Sequence, residues 1–331
     1  MCSPTKRKTL NYLRYWLELV TYKTTKIALL FTLLLGLFYI IFLQLNKDSL
    51  NSLPQSKQIL SVTKGQKFVI ESRTVQQFVV KDSNLGLINL AVSFPNPLPN
   101  HPLPILFILG GLETGLDSVR HVSNVGNNIL IGYDWPIQSN LPEGFNILLK
   151  FPRIYKEIYH APGQITAAIE WIATQRWAEI ERISLLGFSV GAIVAPAVQH
   201  LLERRGTINI GWTVLAYGGA DIGKIVNYNP SIRPNWIKPL YGWIIQLLFN
   251  PLDPKEHLPF LSGKFLLVSG TQDEFIPKQS SSLMQKITPQ PKDIIFIEGQ
   301  HMGVGENQKT LLSKIIEETR IWLKTNGAIN P

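Results

Sequence analysis

The sequence predicts an α/β domain: a mostly parallel central sheet with helices on both faces, preceded by one transmembrane helix. Three observations predict it. From Ile105 onward, short aliphatic strands alternate with amphipathic stretches of helix length, the pattern of a parallel sheet covered on both faces. The run from Ile27 to Leu43, IALLFTLLLGLFYIIFL, carries no charge. A chain of 331 residues, 45% hydrophobic, can bury one large core and still carry an accessory segment.

Residues 1–26 hold Lys6, Arg7, Lys8, Arg14, Lys23 and Lys26 against Glu18 alone. Leu10, Leu13, Leu17 and Val20 recur at near-helical spacing among Tyr12, Tyr15, Trp16 and Tyr22. This suits a basic cytoplasmic segment in the membrane interface. Residues 27–45 then form the span, about 28 Å at 1.5 Å per residue against a hydrocarbon core of about 30 Å. No small-x-small cleavage site follows, so the segment reads as an uncleaved signal-anchor. The basic flank places the N-terminus in the cytoplasm and the rest of the chain on the non-cytoplasmic side. Much of the net charge of +9 sits in this flank, which argues for a single-pass membrane protein and against a nucleic-acid partner. The single cysteine, Cys2, excludes an internal disulfide framework and a cysteine-based zinc site. No His-Glu-x-x-His spacing occurs, and neither a metal nor a cofactor is expected.

Residues 46–65 read as a polar linker, leaving 66–331 as the folded domain. Phe68–Ile70, Thr74–Val80 and Leu87–Phe94 read as antiparallel edge strands. Pro95, Pro97, Pro99, Pro102 and Pro104 force a loop. Strands follow at Ile105–Leu109, Ile129–Tyr133, Ile183–Leu186, Thr213–Ala216, Phe265–Val268 and Ile294–Ile297. The intervening helices are Leu116–Val125, Gly163–Trp177, Ala192–Arg204, Gln279–Ile287 and Lys309–Lys324. An insertion, 221–262, interrupts the alternation and is rich in Pro, Trp and Tyr.

The chemistry gathers around Gly187-Phe188-Ser189-Val190-Gly191, between an apolar strand and a small-residue helix. A serine hydroxyl needs a sharp turn to hold it out and a base to activate it. Asp273 follows one later strand and His301 follows the next, at the carboxyl ends where open α/β sheets place their sites. Glu274 and Asp221 are alternative acids. His101, His121, His160, His200 and His257 lack this placement and read as structural. Gly218-Gly219-Ala220-Asp221-Ile222-Gly223-Lys224-Ile225 nearly matches a phosphate-binding loop, but Ile225 stands where Ser or Thr would hold Mg²⁺.

In the order Ser189, Asp273, His301, the motifs GFSVG, GTQDEFIP and GQHMG resemble the α/β-hydrolase superfamily from about residue 66 to 325. The resemblance implies an α/β-hydrolase fold and a serine hydrolase with a catalytic triad of Ser189, Asp273 and His301. It implies an oxyanion hole from the Val190 N–H and an N–H of Gly111 or Leu112. Leu109-Gly110 stands where many members carry His-Gly. The insertion resembles a lid or cap. The expected activity is carboxylic ester hydrolysis, esterase- or lipase-like, on a small-molecule ester or lipidic substrate. A peptidase, amidase or acyltransferase of the same fold is the alternative, and an inert membrane-tethered binding protein is the alternative of another class. The oligomeric state is open.

Overall fold

The computed structural model describes residues 25–26, 30–32, 34–36, 38–39, 41–42, 48–112, 114–122, 125–137, 146–303 and 308–330, with side chains undescribed at 146–149. The chain divides into two units, Met1–Lys47 and Asp48–Pro331. In the first, the described residues between 25 and 42 are helical, and large apolar side chains such as Phe31 and Phe38 are exposed. Among the described residues no helix is long and apolar enough to cross a membrane. Most of the basic segment and much of the expected span lie outside the described residues.

The second unit is built on one nine-stranded sheet. Its strands in chain order are β1 (Ile59–Ile70), β2 (Arg73–Asp82), β3 (Gly86–Pro95), β4 (Leu103–Leu109), β5 (Ile129–Tyr133), β6 (Ala178–Phe188), β7 (Trp212–Ala216), β8 (Lys264–Gly270) and β9 (Lys292–Ile297). In space they run β1-β2-β3-β5-β4-β6-β7-β8-β9. The first three and the β3–β5 pair are antiparallel, and the rest of the sheet is parallel. The order in which the chain adds strands reverses at β4, with β5 on one side and β6 on the other, and a crevice opens at such a switch point.

Side chains alternate along the parallel strands because the period of a strand is two. Ile105, Phe107 and Leu109 of β4 join Phe265 and Leu267 of β8 in one core. That core is covered by helices α1 (Asn146–Ala173) and α2 (Val190–Arg205). Leu106, Ile108, Leu266 and Val268 point to the other face. There they meet Leu311, Ile315, Trp322 and Leu323 of the C-terminal helix Gln308–Thr325. The insertion carries α3 (Ile222–Tyr228) and α4 (Lys238–Phe249), then three single 3-10 turns. Helix α5 (Lys278–Ile287) follows β8, and the C-terminal helix is α6.

Three expectations are corrected. The polar stretch 46–65 is not all linker: Leu50 and Leu53 are buried against Tyr159, Phe249 and Leu252. Within the same stretch, Ile59 opens β1, so the folded unit begins at Asp48. Two leucines suffice because they meet an apolar cluster that already exists. The helix expected at Leu116–Val125 is only a 3-10 turn, Gly115–Arg120. Gly115 opens it at a positive φ of 40° and β-branched valines follow, so an α-helix gains little there. Helix α1 begins at Asn146, well before the expected Gly163, because Pro152 and Pro162 are accommodated inside it.

Candidate active site

Ser189 lies between the last residue of β6 and the first of α2, with φ 53° and ψ −114°. That backbone region is costly for a residue with a Cβ, so the turn is held by its neighbours. Two glycines allow the closure. A Cβ on Gly187 would lie 2.5 Å from the Gly191 carbonyl oxygen. One on Gly191 would lie 2.0 Å from the Leu109 carbonyl oxygen. The Ser189 N–H donates to the Ala216 carbonyl at 2.9 Å, tying the turn to β7.

The loop after β8 fixes Asp273. Its Oδ1 accepts from the N–H groups of Phe275 and Ile276, each at 2.9 Å. The loop after β9 brings in His301, which is buried. His301 Nδ1 lies 2.8 and 3.0 Å from the two Asp273 oxygens. A carboxylate can only accept, so this network assigns the proton to Nδ1. Nε2 is then left with a lone pair, 3.0 Å from the Ser189 hydroxyl oxygen, which donates to it. The arrangement can therefore move a proton from Ser189 to His301.

Glu274 has a different part from its neighbour. Its Oε2 accepts the His301 backbone N–H at 3.1 Å. Asp221 is elsewhere in function: it caps α3 through the Lys224 N–H and pairs with the Lys224 ammonium at 2.8 Å. Phe275 and Tyr217 flank the His301 ring, with centroids 5.3 and 5.6 Å away. The Tyr217 hydroxyl is buried without a hydrogen-bond partner among the described residues. Burial, and secondly Asp273, push its pKa up to about 12, which keeps the phenol neutral.

Ser189 and His301 line a cavity of about 460 Å³. Gly111, Leu112 and Val190, the residues expected to form the oxyanion hole, line it too. The loop after β4 is pinned by Trp135 Nε1–H donating to the Gly110 carbonyl at 3.0 Å. Thr114 Oγ1 donates to the Gly111 carbonyl at 2.9 Å. Val122, Phe188, Met302, Leu312 and Ile316 make the rest of the wall largely apolar. A larger cleft, about 580 Å³, runs along the Ile70–Arg73 turn and the proline loop. It contains none of the expected site residues, so the chemistry selects the smaller cavity. No described residue of 221–262 lines that cavity. The segment instead packs Phe249 and Leu252 against Tyr159 and Leu201. Among the described residues no group of three or more His, Cys, Asp or Glu is placed to hold a metal.

Sequence reasoning missed Tyr217, Trp135, Phe275 and the α6 wall. Tyr217 had a legible signal, since it follows β7 directly and the residue after a central strand borders the crevice. Leu312 and Ile316 had none, because their contact depends on how α6 crosses the sheet.

Residues 162–304 match the serine hydrolase family FSH1. The chain is 29% identical over 204 residues to the uncharacterized protein YfhR of Salmonella typhimurium, covering 58% of this chain and 67% of that one. Among solved structures, acetyl xylan esterase 1 from a Thermoanaerobacterium species is similar with a TM-score of 0.56 at 13% identity. It covers 81% of this chain and 90% of its own. An acetyl xylan esterase from a Paenibacillus species gives a TM-score of 0.57 at 16% identity, covering 84% and 93%. Identity this low speaks for the fold alone, which is that of the α/β-hydrolases. With the family match, the chain is a serine hydrolase.

Proposed function

We propose that this serine hydrolase cleaves carboxylic esters through an acyl-enzyme on Ser189 and works from an N-terminal membrane anchor. The observation that carries the ester chemistry is the unbroken relay of hydrogen bonds from Ser189 through His301 to Asp273 beside an apolar cavity. His301 Nε2 takes the hydroxyl proton as Ser189 Oγ attacks the ester carbonyl. Asp273 holds the imidazole in the needed tautomer and stabilises the imidazolium that forms. Negative charge then develops on the former carbonyl oxygen. The Val190 N–H, at the start of α2, and the N–H of Gly111 or Leu112 receive it. The tetrahedral intermediate collapses, and His301 returns the proton to the departing alcohol. Water, deprotonated by His301 in turn, releases the acid and restores Ser189.

The apolar wall favours an acyl group over a charged side chain. The neighbours whose names record an esterase agree with that substrate class. The anchor rests on the uncharged run Ile27–Leu43 and its basic flank. A fluorophosphonate probe should label the full chain and fail to label Ser189→Ala. A panel of esters, thioesters and peptides should then show esters turned over fastest. A folded wild-type chain that resists the probe would return the protein to the inert binding class. Protease protection in sealed vesicles should place the hydrolase unit on the side opposite the N-terminus.

A further inference from the structure

Helix α4 is apolar on both sides. Its inner side seats Gly242 and Phe249, both buried, with Ile245 packed onto the same cluster. Its outer side presents Leu240 and Trp243, 54% and 51% exposed. Trp236, in the 3-10 turn Asn235–Ile237 that leads into the helix, is 78% exposed. Positions 236, 240, 243 and 247 follow the i, i+4, i+7, i+11 spacing of one helical row. Exposed apolar residues are ordinary singly, but a row anchored by two tryptophans marks a contact surface.

Charge narrows the partner. Between Asp221 and Asp253 the chain has no acidic residue, and Arg233 and Lys238 flank Trp236, while Lys224 is paired with Asp221. Tryptophan and tyrosine flanked by cations favour the headgroup level of a bilayer. The chain's point of entry gives an independent argument. Leu50 and Leu53 pack with Phe249 and Leu252, and Ser49 Oγ donates to Glu256 at 3.1 Å. The first residues of the folded unit are thus fastened beside the C-terminal end of α4. Trp243 lies six residues before Phe249, about 9 Å along the helix axis.

We propose that the Trp236–Trp243 face docks on an anionic bilayer surface, giving the hydrolase unit a second lipid contact beside its tether. The proposal rests on the anchor reading, since a segment held in lipid before Asp48 delivers this edge of the unit to the membrane. The row lines no part of the Ser189 cavity, so docking sets the orientation of the enzyme without touching the reaction.

The test uses the full chain with Cys2→Ser, a single Leu240→Cys, and an environment-sensitive NBD label. The protein is reconstituted in vesicles of phosphatidylcholine and phosphatidylserine. An Ile180→Cys label at the exposed N-terminal end of β6 serves as the control. The expected result is a blue shift and a several-fold rise in NBD emission at position 240, quenched by doxyl-labelled lipid, with the control unchanged. Flotation of the same sample reads the anchor separately. Protein that floats while the label at 240 stays water-like overturns docking and leaves the anchor standing. A blue-shifted label that doxyl lipid fails to quench shows a protein cover, a second copy or another segment, and also overturns docking. Protein that does not float overturns both.

Discussion

Acid should weaken this fold at one identifiable place, the His200–His257 pair that joins α2 to the insertion. His257 is fully buried, and its Nε2 lies 2.8 Å from the Pro251 carbonyl. A carbonyl can only accept, so Nε2 carries the proton and Nδ1 is bare. The bare Nδ1 lies 3.1 Å from Nδ1 of His200, which must donate to it. A second proton on His257 would set two donors face to face in a dry site. Burial, first among the causes, holds its pKa down to about 4, against 6.5 for a free imidazole. Nearby His200 adds to that, while the Pro251 hydrogen bond and Asp253 oppose it. Between those two values the unfolded chain binds the proton and the folded chain does not, so stability rises with pH. The contribution is complete above the unfolded pKa, falls away as the pH drops from 6.5 toward 4, and changes no further below. That gap corresponds to about 3 kcal/mol. His257→Gln offers an amide N–H to Pro251 and an oxygen to His200 without the titration. Urea unfolding of the full chain in mild detergent, followed by tryptophan fluorescence at neutral pH and near pH 4, compares the two proteins. The wild type should lose about 3 kcal/mol more than the variant on acidification. Equal losses would refute the burial argument, since every other titrating group is common to both.

Four further outcomes follow from the site. Ser189→Ala and His301→Ala should each abolish nearly all ester turnover, and the double variant should lose no more than either alone, as steady-state kinetics would read. Asp273→Asn should lower kcat on the order of 10⁴-fold while binding is retained, because the amide favours the wrong imidazole tautomer. Gly191→Ala should lower both stability and activity, by about 1–3 kcal/mol in unfolding experiments, because its Cβ meets the Leu109 carbonyl 2.0 Å away. Ile316→Trp should shift the preferred acyl chain to a shorter length in an ester series, since Ile316 walls the cavity.

The sequence was most legible where burial is complete. Strands β4 and β7 are buried along almost their whole length, so their apolar runs have no other reading. The loops after β6, β8 and β9 were legible because glycines and polar residues stand abruptly after such runs. Ser189, Asp273 and His301 could thus be named, though nothing in the sequence gives their distances. Strand β1 was largely hidden because it is exposed on both faces from Leu60 to Lys67, and its polar residues show no alternation. The start of α1 was hidden because proline is read locally as a breaker, whereas packing decides whether a helix tolerates it. The sequence reading took Asp273 with Glu274 and Asp221 as alternatives, and Glu274 was hard to set aside because both loop carboxylates bond His301, Asp273 at the ring and Glu274 at the backbone N–H.

The Leu109 carbonyl joins two parts of the cavity. It abuts Gly191 on one side, and the chain runs from it straight into Gly110, Gly111 and Leu112 on the other. In the proposed mechanism, the turn that carries Ser189 and the loop that carries Gly111 and Leu112 therefore meet at this one backbone contact. A side chain larger than hydrogen at position 191 would therefore disturb the serine turn and the Gly110–Leu112 loop together.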